Sequence, residues 1–395
     1  MDKNKKAGKY ITSVSLGTAA VWFSTHCGAG FASGTQELQY FANHGWFGPL
    51  MPIISMIVLG LTYYICFETA RQTDTYNYDG WSKLAFSPYG KFFSICMELG
   101  AIIVTIAASA AAIASGANLI NQELGIPVFF GSVIMFVIIT LLCIFGEKIV
   151  RNNAIIMTIF IIAILSIVLI TGLIKFAPNI VRLVSEGYVN PEAPKWSVTG
   201  SAGTQEGSFF NSLIWALTYT GFQFAAIGGI ATSFKGATSK KEAKGAVFMG
   251  TILNILMLVG VCFLIFSGMP DVYTNKEAQL LPTIHMVNQI DLPILNTIYP
   301  ILLFLALITT AVGLTFGMVE RIHPHVLKNM KNLVAKKAII AVGCLLVCYA
   351  ISQLGLMFVI QTAYKYLGIF SWIFLIIPIW ILGFKNIKRR DKGEL

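Results

Sequence analysis

Charge is what this chain has little of. Asp, Glu, Lys and Arg make up 12% of the 395 residues, about half of the roughly 25% usual in soluble domains. Hydrophobic residues make up 56%, and the mean hydropathy is +0.74. A water-soluble globular domain is excluded, leaving an all-α integral membrane protein. The seven cysteines (Cys27, Cys66, Cys96, Cys143, Cys262, Cys344 and Cys348) are odd in number, sit in apolar runs and form no CxxC pair. A disulfide framework and a zinc site are therefore not expected. The pair His323 and His325 stands in a loop without acidic or thiol ligands around it, so no resident metal or cofactor is expected. P-loop, dinucleotide-binding and nucleophile-elbow patterns are also missing, which argues against an enzyme and against a nucleotide-driven pump. Lys3 to Lys9 before an apolar run imitates a signal peptide, but no A-x-A pattern follows. The run is expected to be an uncleaved first span.

What the chain does contain is long apolar segments. A spanning helix needs roughly 20 such residues, and ten segments qualify: 10–42, 47–71, 90–120, 127–147, 152–176, 208–233, 243–268, 292–319, 335–353 and 355–384. The net charge of +10 would suggest nucleic acid as partner of a soluble protein; here it is not expected, and the placement of the charge matters instead. With the N-terminus inside, Lys175, Arg182, Lys195 and Lys276 lie outside and Lys365 lies within a span. All other basic residues are inside, so both termini are expected in the cytoplasm, in a bacterial cell membrane. The basic tail 385–395 would then meet anionic lipid.

A polar loop at 177–207, containing "VTGSAGTQEGS", separates two sets of five spans, 10–176 and 208–384, within one transporter domain covering 1–395. An odd number of spans per set puts the second into the membrane upside down, as in secondary transporters built from inverted repeats. If the sets are repeats, spans one and six should be interrupted alike. Span one contains "STHCGAGFASGTQEL" and span six "SLIWALTYTGFQFAAIGGI", both rich in glycine and hydroxyls at mid-membrane. A helix opened there frees amides that suit a carboxylate and carbonyls that suit a cation. Gly28, Gly30 and Gly34 let backbone approach a ligand closely. The aromatics Phe31, Tyr219, Phe222 and Phe224 are candidates to shape the pocket. Span three, "TIAASAAAIASGA", reads as tight helix packing.

The five-plus-five plan and "GAGFASG" resemble the LeuT-fold transporters of the amino acid–polyamine–organocation superfamily. "GAGFASGTQEL" is similar in particular to the YkvI-like bacterial membrane proteins. The resemblance implies that Gly28, Ala29 and Gly30 bind a substrate carboxylate through their amides. It also implies that Tyr219, Thr220, Gly221 and Phe222 lie where span six opens around the substrate. For a sodium ion it implies carbonyls of Ser24 and Cys27 from span one. From span eight, "LALITTAVG", it implies the Ala306 carbonyl and the Thr309 and Thr310 hydroxyls. The expected function is Na⁺-driven symport of a small organic solute, an amino acid or similar zwitterion, by alternating access.

Ionisable residues inside spans are functional by default. Glu37 follows the first break, as a first-turn carboxylate or as a gate. His26 precedes it, as a hydrogen-bonded side chain or a proton carrier. Glu98 in span three and Lys365 in span ten are expected to neutralise each other across the bundle; a proton-coupled transporter would titrate one of them. A ligand sensor that keeps the fold, and a channel, are the competing functions. The loop 269–291 is a candidate outer lid.

Overall fold

The computed structural model describes residues 9–26, 28–199 and 203–395. Apart from an antiparallel pairing of Ala193–Pro194 with Thr204–Gln205, the described elements are helical. Eight helices are long and apolar enough to cross a membrane unbroken: span two, Gly48–Thr73; three, Gly90–Leu124; four, Val128–Phe145; five, Ile159–Ser185; seven, Lys240–Phe266; eight, Pro293–Ile322; nine, Leu333–Ser352; and ten, Leu356–Asp391. The two segments expected to be interrupted are interrupted. Span one consists of Ser13–His26, Ala29–Ser33, Thr35–Glu37 and a π-helical turn Leu38–Ala42. Span six consists of Phe209–Phe224 and Ile227–Thr232.

The packing repeats by halves. Span one rests on span seven and span six on span two; spans two and seven meet each other, as do three and eight; span five lies on eight and span ten on three. Exchanging each span with the one five later maps these contacts onto themselves, as inverted repeats require. Both ends of the chain reach the start of span seven. Lys241 Nζ stands 5.8 Å over the Tyr10 ring, and Lys240 Nζ is 2.8 Å from Asp391 Oδ2. The termini therefore share one face, here the terminal face. That start is sharply defined: Ser239 and Glu242 form a capping box, satisfying two helix-end donors reciprocally.

Burial separates core from perimeter. In span two 61% of the apolar window is buried, against 22% in span four and 28% in spans five and nine. Spans four, five and nine therefore turn their apolar faces to lipid. Two loops are more ordered than their polarity suggests. The helix of span five runs on past Pro178 to Ser185, into the stretch expected to be linker, because Arg182 ties to Asn179 at 2.7 Å and to Glu186 at 3.0 Å along the exposed face. The loop 269–291 folds into Asp271–Thr274, Lys276–Leu280 and Pro282–Ile290, the last of which lies against spans five, seven and eight.

Candidate functional site

The break in span one begins where the helix stops at His26. Gly28 is extended, with φ −82° and ψ −160°. The next helix makes its first bond from Ala32 N–H to Gly28 O at 3.1 Å, so the amides of Ala29, Gly30 and Phe31 precede any helical partner. Gly30 is needed for close approach, since a β-carbon there would run into the Gln36 side-chain amide. Gly34 turns the chain a second time at φ +82°, with the Thr283 hydroxyl in the space a side chain would fill. Cys27, one expected ion ligand, lies outside the described residues.

Span six opens later than its sequence suggests. Tyr219 to Phe222 are helical, and the chain turns at Ala225–Ala226, tightened by Ala225 N–H to Phe222 O at 3.2 Å and Ala226 N–H to Gln223 O at 3.1 Å. Gly221 does not break the helix; it lets span six touch span ten. A β-carbon on Gly221 would strike the carbonyl oxygen of Gly368 and lie 2.9 Å from its Cα. Thr220 donates to Ala216 O at 3.2 Å and Ser55 O at 3.3 Å, and Tyr219 accepts from Gln223 Nε2 at 2.8 Å.

The two breaks are joined by side chains. The Trp22 indole donates to His26 Nδ1 at 3.1 Å, which leaves the proton on Nε2. His26 Nε2 is 3.2 Å from the Tyr63 hydroxyl, which donates to Gln223 O at 3.2 Å. Tyr63 thus satisfies a carbonyl at the end of the first half of span six and ties it to the end of the first half of span one.

Both breaks face a cavity of about 460 Å³. Of the expected residues it brings together Ser24, His26, Gly28, Gly30, Phe222, Thr309 and Thr310. Phe31, Tyr219, Thr220, Gly221 and Ala306 do not line it; all are buried in the surrounding packing. Gly28 and Thr310 face each other: a β-carbon on Gly28 would be 3.4 Å from Thr310 Cγ2 and 3.6 Å from its Oγ1. The Thr309 hydroxyl donates to Leu305 O at 2.9 Å, which leaves its lone pairs available. Gln36, Thr105, Gln223 and Tyr364 also line the cavity, and sequence reasoning missed them. For span three a signal existed: Ala101, Thr105 and Ala108 recur at helical spacing on one face.

Among the described residues, the lining of the cavity runs out toward one face of the protein. Toward the terminal face it passes the exposed Gly313 and Gly317 to Arg321. There it meets a second cavity of about 610 Å³, which shares Thr105 and Arg321 and reaches His325. Toward the opposite face, the outer one in the orientation expected from the charges, stand the buried rings of Tyr40, Phe41, Trp215, Tyr219, Phe222 and Tyr364. Phe222 stacks on Tyr364 at 4.6 Å, and Tyr40 lies 5.4 Å from Phe222 and 5.3 Å from Trp215.

Glu98 and Lys365 do not form the expected pair. Glu98 lines the cavity at the terminal face with Asp79 and Arg321. Lys365 lines a separate cavity of about 180 Å³ beyond the aromatic plug, with Lys195 and Gln279 from the outer loops. Glu98 stands in the first turns of span three and Lys365 near the opposite end of span ten, so helix length keeps them apart. Glu37 lines none of these cavities.

Comparison with known proteins agrees with this fold. The family model for amino acid permeases matches residues 15–393. The membrane protein YkvI of Bacillus subtilis (strain 168) is 20% identical over 379 residues, covering 95% of this chain and 96% of its own. A Na⁺-coupled sialic acid symporter solved in a substrate-bound outward-open state superposes with a TM-score of 0.58 at 14% identity, over 93% of this chain and 79% of that one. The inward-facing form of Mhp1 superposes with a TM-score of 0.53 at 12% identity, over 94% and 76%. At such identities these structures show the LeuT-type fold.

Proposed function

The chain belongs to the amino acid permease family, and from that premise we propose that it is a secondary active symporter of a small organic solute, an amino acid or similar zwitterion, driven by Na⁺ across a bacterial cell membrane. The observation that carries the reading is the cavity of about 460 Å³ at the facing breaks, open on one face and plugged on the other. Its size falls within the range of small-molecule sites. Two interrupted helices placed symmetrically at mid-membrane are how inverted-repeat transporters hold a solute. The solute carboxylate would meet the amides that follow Gly28, and Gln36 and Gln223 would bond its remaining polar groups. Sodium would lie between span one, at Ser24 and Cys27, and span eight, at Ala306, Thr309 and Thr310. The closeness of Gly28 to Thr310 supports that placement.

The test is uptake by purified protein in liposomes, after a thermal-shift screen of amino acids and amines has named a solute. Saturable uptake that requires an inward Na⁺ gradient is expected. Saturable binding without uptake under any gradient would instead make the protein a sensor. In Thr310→Ala, uptake should lose its dependence on Na⁺ while solute binding remains. An unchanged Na⁺ response in that variant removes the sodium assignment.

A further inference from the structure

Glu37 sits in the short helix Thr35–Glu37 of span one's outer half. It is 0% exposed, and neither carboxylate oxygen has a hydrogen-bond partner among the described residues. Among the described residues, no cation is paired with it. Span seven, against which this helix packs, contributes Cys262 within electrostatic reach. Between Gly245 and Phe266 span seven has no charged residue at all. The lid helix Pro282–Ile290 packs on Ala29–Ser33 and sets Thr283, whose hydroxyl has no partner among the described residues, beside Gly34, while His285 bonds Asp271 at 2.8 Å. On the same segment Tyr40 faces away, donating to Ile360 O at 2.8 Å. From span eight, Tyr299 donates to Ala32 O at 2.7 Å.

A carboxylate ion held in such a place would cost far more than any single contact returns, and the group sheds that cost by taking up a proton. A neutral carboxyl leaves only the smaller penalty of an unpaired polar group. The charge problem exists only while the outer half of span one is pressed against span seven. Were that half to swing away and open the outer path, the carboxyl would meet water and the proton could leave.

We propose that Glu37 is a proton-binding site that must be occupied for the outer half of the protein to seal. The carboxylate takes H⁺ from the outer solution, becomes a carboxylic acid, and is then buried against Cys262 of span seven. On reopening, the proton returns to the same solution. The site moves no net proton across the membrane; it makes sealing depend on outer pH. Its effect on uptake rests on the transport reading, but the protonation does not.

Two measurements on Glu37→Gln test it. The amide mimics the neutral acid, so the variant should fold. First, infrared spectroscopy of the purified wild type at neutral pH should show the C=O stretch of a protonated carboxyl, and the variant should lack it. A spectrum without that band, or the same band in both proteins, overturns the proposal whether or not any solute is transported. Second, with the internal pH held fixed, raising the outer pH from about 6 to about 8 should slow wild-type uptake several-fold, while the variant stays flat. Equal slopes in the two proteins would overturn the link between protonation and sealing.

Discussion

The two halves of span one differ in what they hold. The outer half is tied to four other parts of the chain: Thr35 donates to Leu280 O at 2.7 Å, Tyr299 to Ala32 O at 2.7 Å, Tyr40 to Ile360 O at 2.8 Å and Gln361 to Gln39 at 2.9 Å, while Asn190 bonds Asn43. The inner half, Ser13–His26, rests on span seven, where Trp22 fills the space beside Gly250, and reaches span two through His26 and Tyr63. Past it the cavity lies open. One nominal helix thus belongs to two different neighbourhoods, and the break at Gly28 lets each keep its own. The seal is also of a releasable kind. Side-chain hydrogen bonds are worth about 1 kcal/mol each on balance, so a handful of them closes the outer path within the few kcal/mol over which two conformations exchange.

The hardest blow to that comparison is a contact that cannot release. Gly221→Val would push a branched side chain into the Gly368 backbone and part spans six and ten beneath the plug. Overpacking of this kind costs about 1–3 kcal/mol or more. A lower Tm in detergent and lost uptake are expected, and a variant with wild-type Tm would show that the contact is soft. Next in size is Tyr40→Phe, which keeps the ring and removes the bond to Ile360. Losing about 1 kcal/mol of seal is about a fivefold shift toward the outward-open form. Hydrogen exchange at 38–43 should quicken by about that factor while segments of the inner half stay unchanged. Equal acceleration in both halves would mean that span one moves as one rod.

Much of this was legible in the chain. The break in span one was legible through Gly28, Gly30 and Gly34 only together with the matching run in span six, because glycines beside hydroxyls in a single membrane helix equally mark close packing. Thr309 and Thr310, expected as ion ligands, line the cavity from span eight. The opening of span six did not read true, because a glycine in a membrane helix can break it or let another helix approach. For Gly221 the decision belongs to Gly368, a residue far along the chain. The same holds for Glu98 and Lys365. Each is a charge in an apolar run, and their membership of different cavities depends on the depth at which each helix carries it. Gln36 escaped notice because its place in the cavity depends on Gly30 having no side chain to exclude it.

The smallest effect is expected on the terminal face. Lys240 and Asp391 meet at 2.8 Å, with side chains 43% and 41% exposed, and Gln72 also donates to Asp391 at 2.9 Å. This clasp joins the start of span seven to the last helix, across the face on which the cavity is already open. An exposed pair contributes at most about 1 kcal/mol and is weakened by salt. Asp391→Asn keeps an acceptor for Gln72 and removes only the charge. Its Tm should stay within about a degree of wild type, and exchange at 38–43 should not change. A shift of that exchange as large as in Tyr40→Phe would mean that the clasp on one face governs the seal on the other. The two halves would then be coupled through the body of the bundle rather than hinged at Gly28.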